Sequence, residues 1–226
     1  MEKQVNARLD ELKPVRKIRS NGRSLTGRLT VATGPGVAFE SSLERDWLIC
    51  LDFNPQVKLI LEQPFTVTYE TEGCTQRYTP DVLAQYDDVD GLTPIIVYEV
   101  KLLEDLRKSW SKYRKRFSAA VSFCRERDWR FKIVTEKHIR TPFLENAKFL
   151  RTYKRSPVQQ LYRDQLLYSL KALGPATPQS LLAFSYLQFE SKMAALPELW
   201  RMVATGELGA ELSKPLTMSS PIWMPK

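Results

Sequence analysis

Charged side chains around residues 81 and 99 have the types and the spacing needed to act on a phosphate. Glu99 and Lys101 lie in the apolar, β-branched run 95–101, which predicts a buried strand. Side chains two residues apart on a strand share a face, so Glu99 and Lys101 should project together, with Val100 on the opposite face. Asp81 opens the preceding predicted strand. Carboxylates bind Mg²⁺ and a lysine offers positive charge to a reacting phosphate, so the pattern indicates metal-dependent phosphate chemistry.

A further carboxylate could come from Glu44, which lies on a predicted helix. Glu40 lies one turn earlier on the same face, so either acid could be the ligand. Ordinary explanations also exist: a solvated helix acid, a turn acid at Asp81, and an ion pair between Glu99 and Lys101. However, Glu99 interrupts an apolar run, where an unpaired carboxylate is costly to bury and a metal ion would offset that cost. The predicted catalytic set is Glu44, Asp81, Glu99 and Lys101, and the predicted ligands of Mg²⁺, or of Mn²⁺ in its place, are Glu44, Asp81, Glu99 and Val100.

The elements that must position these residues follow from the hydrophobic pattern. Residues 39–51 predict an amphipathic helix, with Ser41 or Ser42 as its cap and Asn54-Pro55 at its end. A longer helix is predicted over residues 105–127. The predicted strands cover residues 65–70, 77–86, 94–101 and 129–134, of which the first two form a hairpin. This order predicts an α/β fold with a mixed four-stranded sheet flanked by helices.

The long predicted helix has an apolar face and a basic face. Its apolar residues recur at helical steps and should be core: Leu106, Trp110, Tyr113, Phe117, Val121 and Cys124. The chain has a net charge of +8, and residues 101–155 hold 17 Lys and Arg against 6 Asp and Glu. Basic flanks around an acidic site suit a phosphodiester substrate. The predicted DNA contacts are Arg16, Lys17 and Arg19 in the N-terminal segment and Arg107, Lys108, Lys112, Lys115 and Arg116 on the helix.

The composition changes after Ser156-Pro157, which predicts a second domain. Three helical patterns follow, and residues 206–208 could pair with the tail as a small wing, so a winged-helix module is predicted. Its candidate third helix, residues 193–203, is apolar with Arg201 as its one basic residue. A duplex-binding recognition helix is normally densely basic, so this module should bind protein. The predicted domains are a basic arm at 1–38, a catalytic domain at 39–156 and a winged-helix-like domain at 157–226.

The composition also argues against several classes of protein. Apolar runs stop short of the roughly 20 residues that a membrane helix needs, and no apolar signal region opens the chain. The three cysteines make no CxxC pair, and His138 is the single histidine, so a structural zinc site is not expected. We therefore expect a cytoplasmic protein with reduced, mostly buried thiols and His138 in a loop.

An acid at the start of one strand and Glu-x-Lys on the next form the PD-(D/E)xK nuclease pattern, and the element order matches the core of the restriction-endonuclease-like fold. Four segments give a closer resemblance: Glu40–Asp46, Glu62–Pro64, Tyr78–Asp81 and Glu99–Lys101. They resemble TnsA, the endonuclease subunit of heteromeric cut-and-paste transposases, including those of CRISPR-associated transposons. The resemblance covers residues 14–155 and implies Glu44, Asp81 and Lys101 as catalytic residues. Some members of that family carry Gln where this chain has Glu99.

The resemblance further implies a reaction and its partners. The strand cut would be the non-transferred one, at the 5′ ends of the transposon, in a bacterial cytoplasm. A DDE-type transposase (TnsB) would cut the other strand, and an AAA+ ATPase (TnsC) would bind the C-terminal domain. Two alternatives stay open: a restriction-type or junction-resolving nuclease of the same fold, and a non-catalytic DNA-binding assembly protein. The intact acids and lysine argue against the second alternative.

Overall fold

The computed structural model describes residues 25–31 and 36–225. The chain forms two compact units, which divide between Ile139 and Arg140. This division falls before the domain boundary predicted at residue 156, because the helix Pro142–Lys154 packs against the helix Phe189–Thr205. An edge-on contact between Phe149 and Trp200, with ring centroids 5.3 Å apart, is part of that packing.

A mixed four-stranded sheet forms the centre of the first unit. The strands lie in the order β3 (Val57–Glu62), β6 (Val82–Tyr86), β7 (Ile95–Val100) and β8 (Arg130–Val134). The first three strands pair antiparallel, and β8 runs parallel to β7. All six residues of β7 are buried, as expected for an apolar run at the centre of a sheet covered on both faces. The predicted α/β class with a mixed sheet is confirmed.

Two short ribbons accompany this sheet: β1 (Gly27–Leu29) with β2 (Val37–Phe39), and β4 (Val67–Thr71) with β5 (Cys74–Tyr78). The single strand predicted over residues 77–86 is therefore wrong. It breaks at Pro80, which lacks the N–H that a ladder needs, so β5 ends in the ribbon and β6 begins in the central sheet. The first strand of the central sheet is β3, which the sequence analysis did not assign.

Helix α1 (Ser42–Phe53) covers one face of the sheet. Ser41 is its N-cap, and its side chain accepts a hydrogen bond from the Glu44 N–H at 3.1 Å. Asn54 is its C-cap, as predicted. Trp47 meets Tyr98 of β7 edge-on, with ring centroids 4.9 Å apart, so α1 is fixed against the central strand.

Helix α2 (Leu103–Arg125) covers the opposite face. Phe117 and Cys124 are buried there, as the apolar stripe predicted. Trp110 and Val121 are not core: they are 49% and 38% exposed. The helix kinks at Ser109 (φ −120°, ψ 22°), one residue before Trp110.

A short helix, α3 (Glu136–Ile139), closes the first unit. His138 belongs to this helix and not to the predicted loop. Its Nδ1 accepts a hydrogen bond from the Thr135 N–H, with 3.1 Å between the two nitrogens. The three cysteines are free thiols; Cys50 and Cys124 are buried and Cys74 is exposed. Among the described residues, no helix has the length and apolar character required to cross a membrane.

The described residues of the second unit form four helices and an antiparallel ribbon of two strands, each two residues long. Its elements are α4 (Pro142–Lys154), α5 (Gln160–Leu173), α6 (Pro178–Ser185), α7 (Phe189–Thr205), β9 (Gly209–Ala210) and β10 (Ile222–Trp223). Asn146 fastens the C-terminal segment: its amide nitrogen donates to the carbonyls of Leu212 and Lys214, and its oxygen accepts from the Leu216 N–H, at 2.7–3.0 Å.

Candidate active site

Strand pairing brings three of the predicted site residues to one end of the sheet. Asp81 immediately precedes Val82, which pairs with Tyr98. Asp81 therefore lies beside Glu99, the last residue but one of β7, and on the same face. Lys101 follows β7 directly, with its backbone N–H bonded to β8 at the Val134 carbonyl.

Lys101 lies between the two acids. Its Nζ is 3.0 Å from Glu99 Oε1 and 3.6 Å from Asp81 Oδ2, and it donates to the Val100 carbonyl at 3.1 Å. Asp81 Oδ2 also accepts the Val100 N–H at 2.7 Å, which fixes the carboxylate against the strand end. The arrangement is a lysine ammonium paired with two carboxylates at the C-terminal end of β7.

Glu44 lies in the first turn of α1, where it accepts hydrogen bonds from the Glu40 N–H at 2.7 Å and the Ser41 hydroxyl at 3.0 Å. These bonds are a helix-capping arrangement, so Glu44 has a structural role as well as a candidate chemical one. The negative charge of Asp81 acts on Glu44, and that of Glu40 acts on Asp81. Glu40 precedes the Ser41 cap, so the prediction that it lies on the helix one turn before Glu44 is wrong, but both acids are close enough to influence the site.

The acids of the site are crowded and poorly solvated. Burial, reinforced by the charge of Asp81, raises the pKa of Glu44 to about 7. Burial, reinforced by the charge of Glu99, raises the pKa of Asp81 to about 7 as well. Burial alone would lower the pKa of Lys101, but Asp81 and Glu99 together raise it, so the lysine stays charged. At neutral pH the carboxyls of Glu44 and Asp81 are therefore partly protonated, and a bound cation would displace those protons.

Glu99 is 1% exposed and yet fully paired. Its Oε2 accepts the Tyr78 hydroxyl at 2.6 Å, and its Oε1 lies 3.0 Å from Lys101 and 3.4 Å from Arg116 Nη2. The sequence argument that burial of this carboxylate calls for a metal ion is therefore wrong, because two cations and a hydroxyl offset the cost.

The structure adds two residues to the site. Tyr78 was missed because it ends a strand of the β4–β5 ribbon, and only the register Val67 to Tyr78 turns its ring inward. Arg116 was predicted to bind DNA, but its side chain is 21% exposed and turns toward Glu99. A signal for Arg116 existed in its position directly before the buried Phe117, at the border of the two helix faces.

The remaining predicted DNA contacts on α2 have a different setting. Arg107, Lys108, Lys112 and Lys115 are exposed, as a basic outer face requires. Lys108 pairs with Glu104 at 2.5 Å, and Lys115 donates to Thr71 of β4 at 3.2 Å. Both contacts are on the surface and can yield to a phosphate. The predicted contacts in the N-terminal arm, Arg16, Lys17 and Arg19, lie outside the described residues.

The donor set fits a hard divalent cation in its chemistry. Carboxylates of Glu44, Asp81 and Glu99 and the backbone carbonyl of Val100 are the oxygen ligands that Mg²⁺ takes. Within residues 25–31 and 36–225, no three His, Cys, Asp or Glu side chains converge as a ready-made metal site. Burial and repulsion from neighbouring carboxylates raise the pKa values of Glu44 and Asp81, and a divalent cation bound between the carboxylates would reduce that repulsion.

The comparison with protein families matches part of the chain. Residues 54–136 match the family model described as the N-terminal domain of TnsA-like endonucleases. The matched segment begins after α1 and includes Asp81, Glu99, Lys101 and Arg116, but not Glu44. A comparison with curated proteins gave no match.

Proposed function

We propose, because residues 54–136 match the model of TnsA-like N-terminal endonuclease domains, that the chain is a Mg²⁺-dependent endonuclease of a cut-and-paste transposition system, with Mn²⁺ as a working substitute. It would hydrolyse the non-transferred strand at the 5′ ends of the transposon and leave a 3′-hydroxyl and a 5′-phosphate. The observation that supports this best is Lys101, held 3.0 Å from Glu99 and 3.6 Å from Asp81 at the C-terminal end of β7.

Each residue has a role in this proposal. Asp81 is the main metal ligand, because its carboxylate stands at the end of the strand and is 19% exposed. Glu44, Glu99 and the Val100 carbonyl complete the ligand set. A bound divalent cation would supply an activated water and charge stabilisation at the phosphate. Lys101 would direct its ammonium at the scissile phosphate and stabilise the negative charge that develops there.

The charge balance of the site supports a phosphodiester substrate. Three carboxylates face two cations, Lys101 and Arg116, so the fully ionised site is slightly negative and would repel DNA. A divalent cation reverses that sign. The exposed bases of α2 would then hold the flanking phosphates, and the salt dependence of binding would report how many they contact.

The partners proposed are duplex DNA at the transposon ends, the DDE transposase TnsB and the ATPase TnsC, with TnsC on the C-terminal domain at residues 157–226. A CRISPR-associated element is the proposed context. The C-terminal domain predicted at residues 157–226 offers little to a duplex: Arg201 of α7 is 4% exposed and pairs with Glu198 at 2.8 Å and Glu207 at 2.6 Å. An arginine committed to two carboxylates is not available for phosphate, which favours a protein partner for this domain, here proposed to be winged-helix-like.

Strand-resolved nicking of end-labelled duplexes that carry transposon ends tests the proposal, with Mg²⁺, Mn²⁺ or EDTA and with or without the partner transposase. We expect metal-dependent nicks on one strand, with ends that DNA ligase can reseal. Asp81→Asn should abolish them, and the exposed-acid control Asp88→Asn should not. The absence of metal-dependent nicking by the wild type under every condition would exclude an endonuclease and leave the DNA-binding assembly protein. Cleavage of both strands without a partner, away from transposon ends, would favour the restriction-type alternative.

A further inference from the structure

Arg116 differs from the other basic residues of α2 in its surroundings. Its side chain is 21% exposed, whereas its basic neighbours on the helix are exposed: Arg107, Lys108, Lys112, Arg114 and Lys115. Its guanidinium lies 4.2 Å from the ring centroid of Tyr113 and 5.2 Å from those of Tyr78 and Phe117. Three aromatic rings thus fix the plane of the guanidinium and remove much of its water.

This desolvated cation faces the buried carboxylate of the site. Arg116 Nη2 is 3.4 Å from Glu99 Oε1, and Arg116 Nε is buried without a hydrogen-bond partner. An exposed surface pair would not need such an enclosure and would contribute little. The enclosure therefore commits the arginine to Glu99, on a different element of the fold.

Tyr78 holds the other oxygen of the same carboxylate. Its hydroxyl donates to Glu99 Oε2 at 2.6 Å, the length of a charge-assisted hydrogen bond. Both oxygens of Glu99 are thus paired, one with Tyr78 of the β4–β5 ribbon and the other with Arg116 of α2.

We infer that Tyr78 and Arg116 are positioning residues of the nuclease site, which fix Glu99 and through it the ammonium of Lys101. The inference rests on the proposed function. Lys101 and Arg116 share Glu99 Oε1, so Lys101 can transfer its hydrogen bonds to a substrate phosphate while Arg116 keeps the buried carboxylate paired. Without Arg116, that transfer would leave the buried Glu99 carboxylate in the metal-free site with the Tyr78 hydroxyl as its remaining partner and no cation, which is unfavourable.

A purely structural role is the competing explanation, since buried ion pairs also occur far from any site. The two roles differ in their effects on kinetics. A structural pair affects the melting temperature and leaves kcat of the folded enzyme unchanged. A positioning pair lowers kcat and leaves duplex affinity near its wild-type value, because neither residue contacts DNA directly.

Tyr78→Phe and Arg116→Leu test the inference, and each has a matched control in the chain. Tyr86→Phe removes a hydroxyl that also makes a 2.6 Å bond, to Tyr98. Arg127→Leu removes an arginine that also stacks on a ring, 3.6 Å from the centroid of Phe123. The measurements are kcat and KM for nicking with Mg²⁺ and the partner transposase, duplex affinity in EDTA, and metal-free crystal structures of the two variants.

We expect kcat to fall about 10- to 100-fold in both variants, the range for a misplaced catalytic group, while KM and duplex affinity change less than about twofold. Arg116→Lys should recover part of kcat, and both controls should retain the wild-type value. In the metal-free crystal structure of Tyr78→Phe, the 3.0 Å contact between Glu99 and Lys101 should be lost.

Two results would overturn the inference while the proposed function stands. One is wild-type kcat in Tyr78→Phe and Arg116→Leu with only a lower melting temperature. The other is a loss of duplex affinity in Arg116→Leu as large as the loss in kcat/KM, which would make Arg116 a DNA contact. If the wild type itself does not nick, the proposed function fails. If Arg116→Leu does not fold, Tyr78→Phe, which lacks a single oxygen atom, decides the question.

Discussion

Replacement of Asp81 by asparagine should make the metal-free protein more stable at alkaline pH while it removes nuclease activity. Asp81 is 19% exposed, and burial together with the charge of Glu99 raises its pKa from 3.8 to about 7. An ionised carboxylate here costs folding free energy, which a neutral amide avoids. The amide oxygen of asparagine can still accept the Val100 N–H that Asp81 accepts at 2.7 Å.

The sign and size of the effect follow from proton linkage at Asp81. At acidic pH the carboxyl is protonated in both the folded and the unfolded chain, so the substitution gains nothing. Between pH 3.8 and about 7 the unfolded chain loses its proton first, so the wild type loses roughly 1.4 kcal/mol of stability per pH unit. The loss reaches at most ~4 kcal/mol above pH 7. Because Glu44 shares the repulsion, we expect Asp81→Asn to gain roughly 1–4 kcal/mol at pH 8.

Urea unfolding of the full-length chain in EDTA, at pH 8 and at pH 5, measures this gain. The gain at pH 8 should exceed that at pH 5, and the exposed-acid control Asp88→Asn should show neither. Added Mg²⁺ should stabilise the wild type and not Asp81→Asn. A variant that is less stable than the wild type at pH 8, or equally stabilised at both pH values, would refute the reasoning.

Three further predictions concern the other charged residues. Lys101→Ala should abolish nicking and keep or raise Mn²⁺ affinity, because it removes a cation that competes at 3.0 and 3.6 Å; calorimetry that shows a collapse of metal binding would contradict this role. Glu44→Gln, which preserves an acceptor for the helix cap, should lower kcat more than Glu40→Gln does, and the reverse order would identify Glu40 as the relevant acid. Lys112→Glu should weaken duplex binding and reduce the slope of log affinity against log salt by about 1, and Lys171→Glu in the second unit should change neither.

Much of the site could be predicted because its residues are positioned by neighbours in the sequence. Asp81 beside Pro80, and Glu99 two residues before Lys101, need only the two-residue period of a strand and one pairing register to come together. A serine cap for α1, at Ser41 or Ser42, follows from side-chain chemistry in the same way, and the structure has Ser41 in that position. Such features depend on neighbours in sequence, so a single chain reveals them.

The remaining features depend on partners that are distant in sequence. The break at Pro80 separates β5 from β6, but only the pairing with Val67 and Tyr98 shows that they belong to different sheets. Arg116 lies at the border between the two faces of α2, and helical periodicity does not determine which side it takes. Its direction is set by Glu99, whose side chain it meets across the fold.

The different surroundings of the three thiols make Cys74 a natural attachment point for a fluorophore. Cys74 is exposed at the start of β5, whereas Cys50 and Cys124 are buried, and burial raises the pKa of Cys124 to about 12. A maleimide reagent should therefore modify Cys74 selectively without any substitution in the chain. The dye would stand four residues from Tyr78 along the strand, roughly 14 Å away. Its emission would report the arrival of a duplex at the site before any bond is cut.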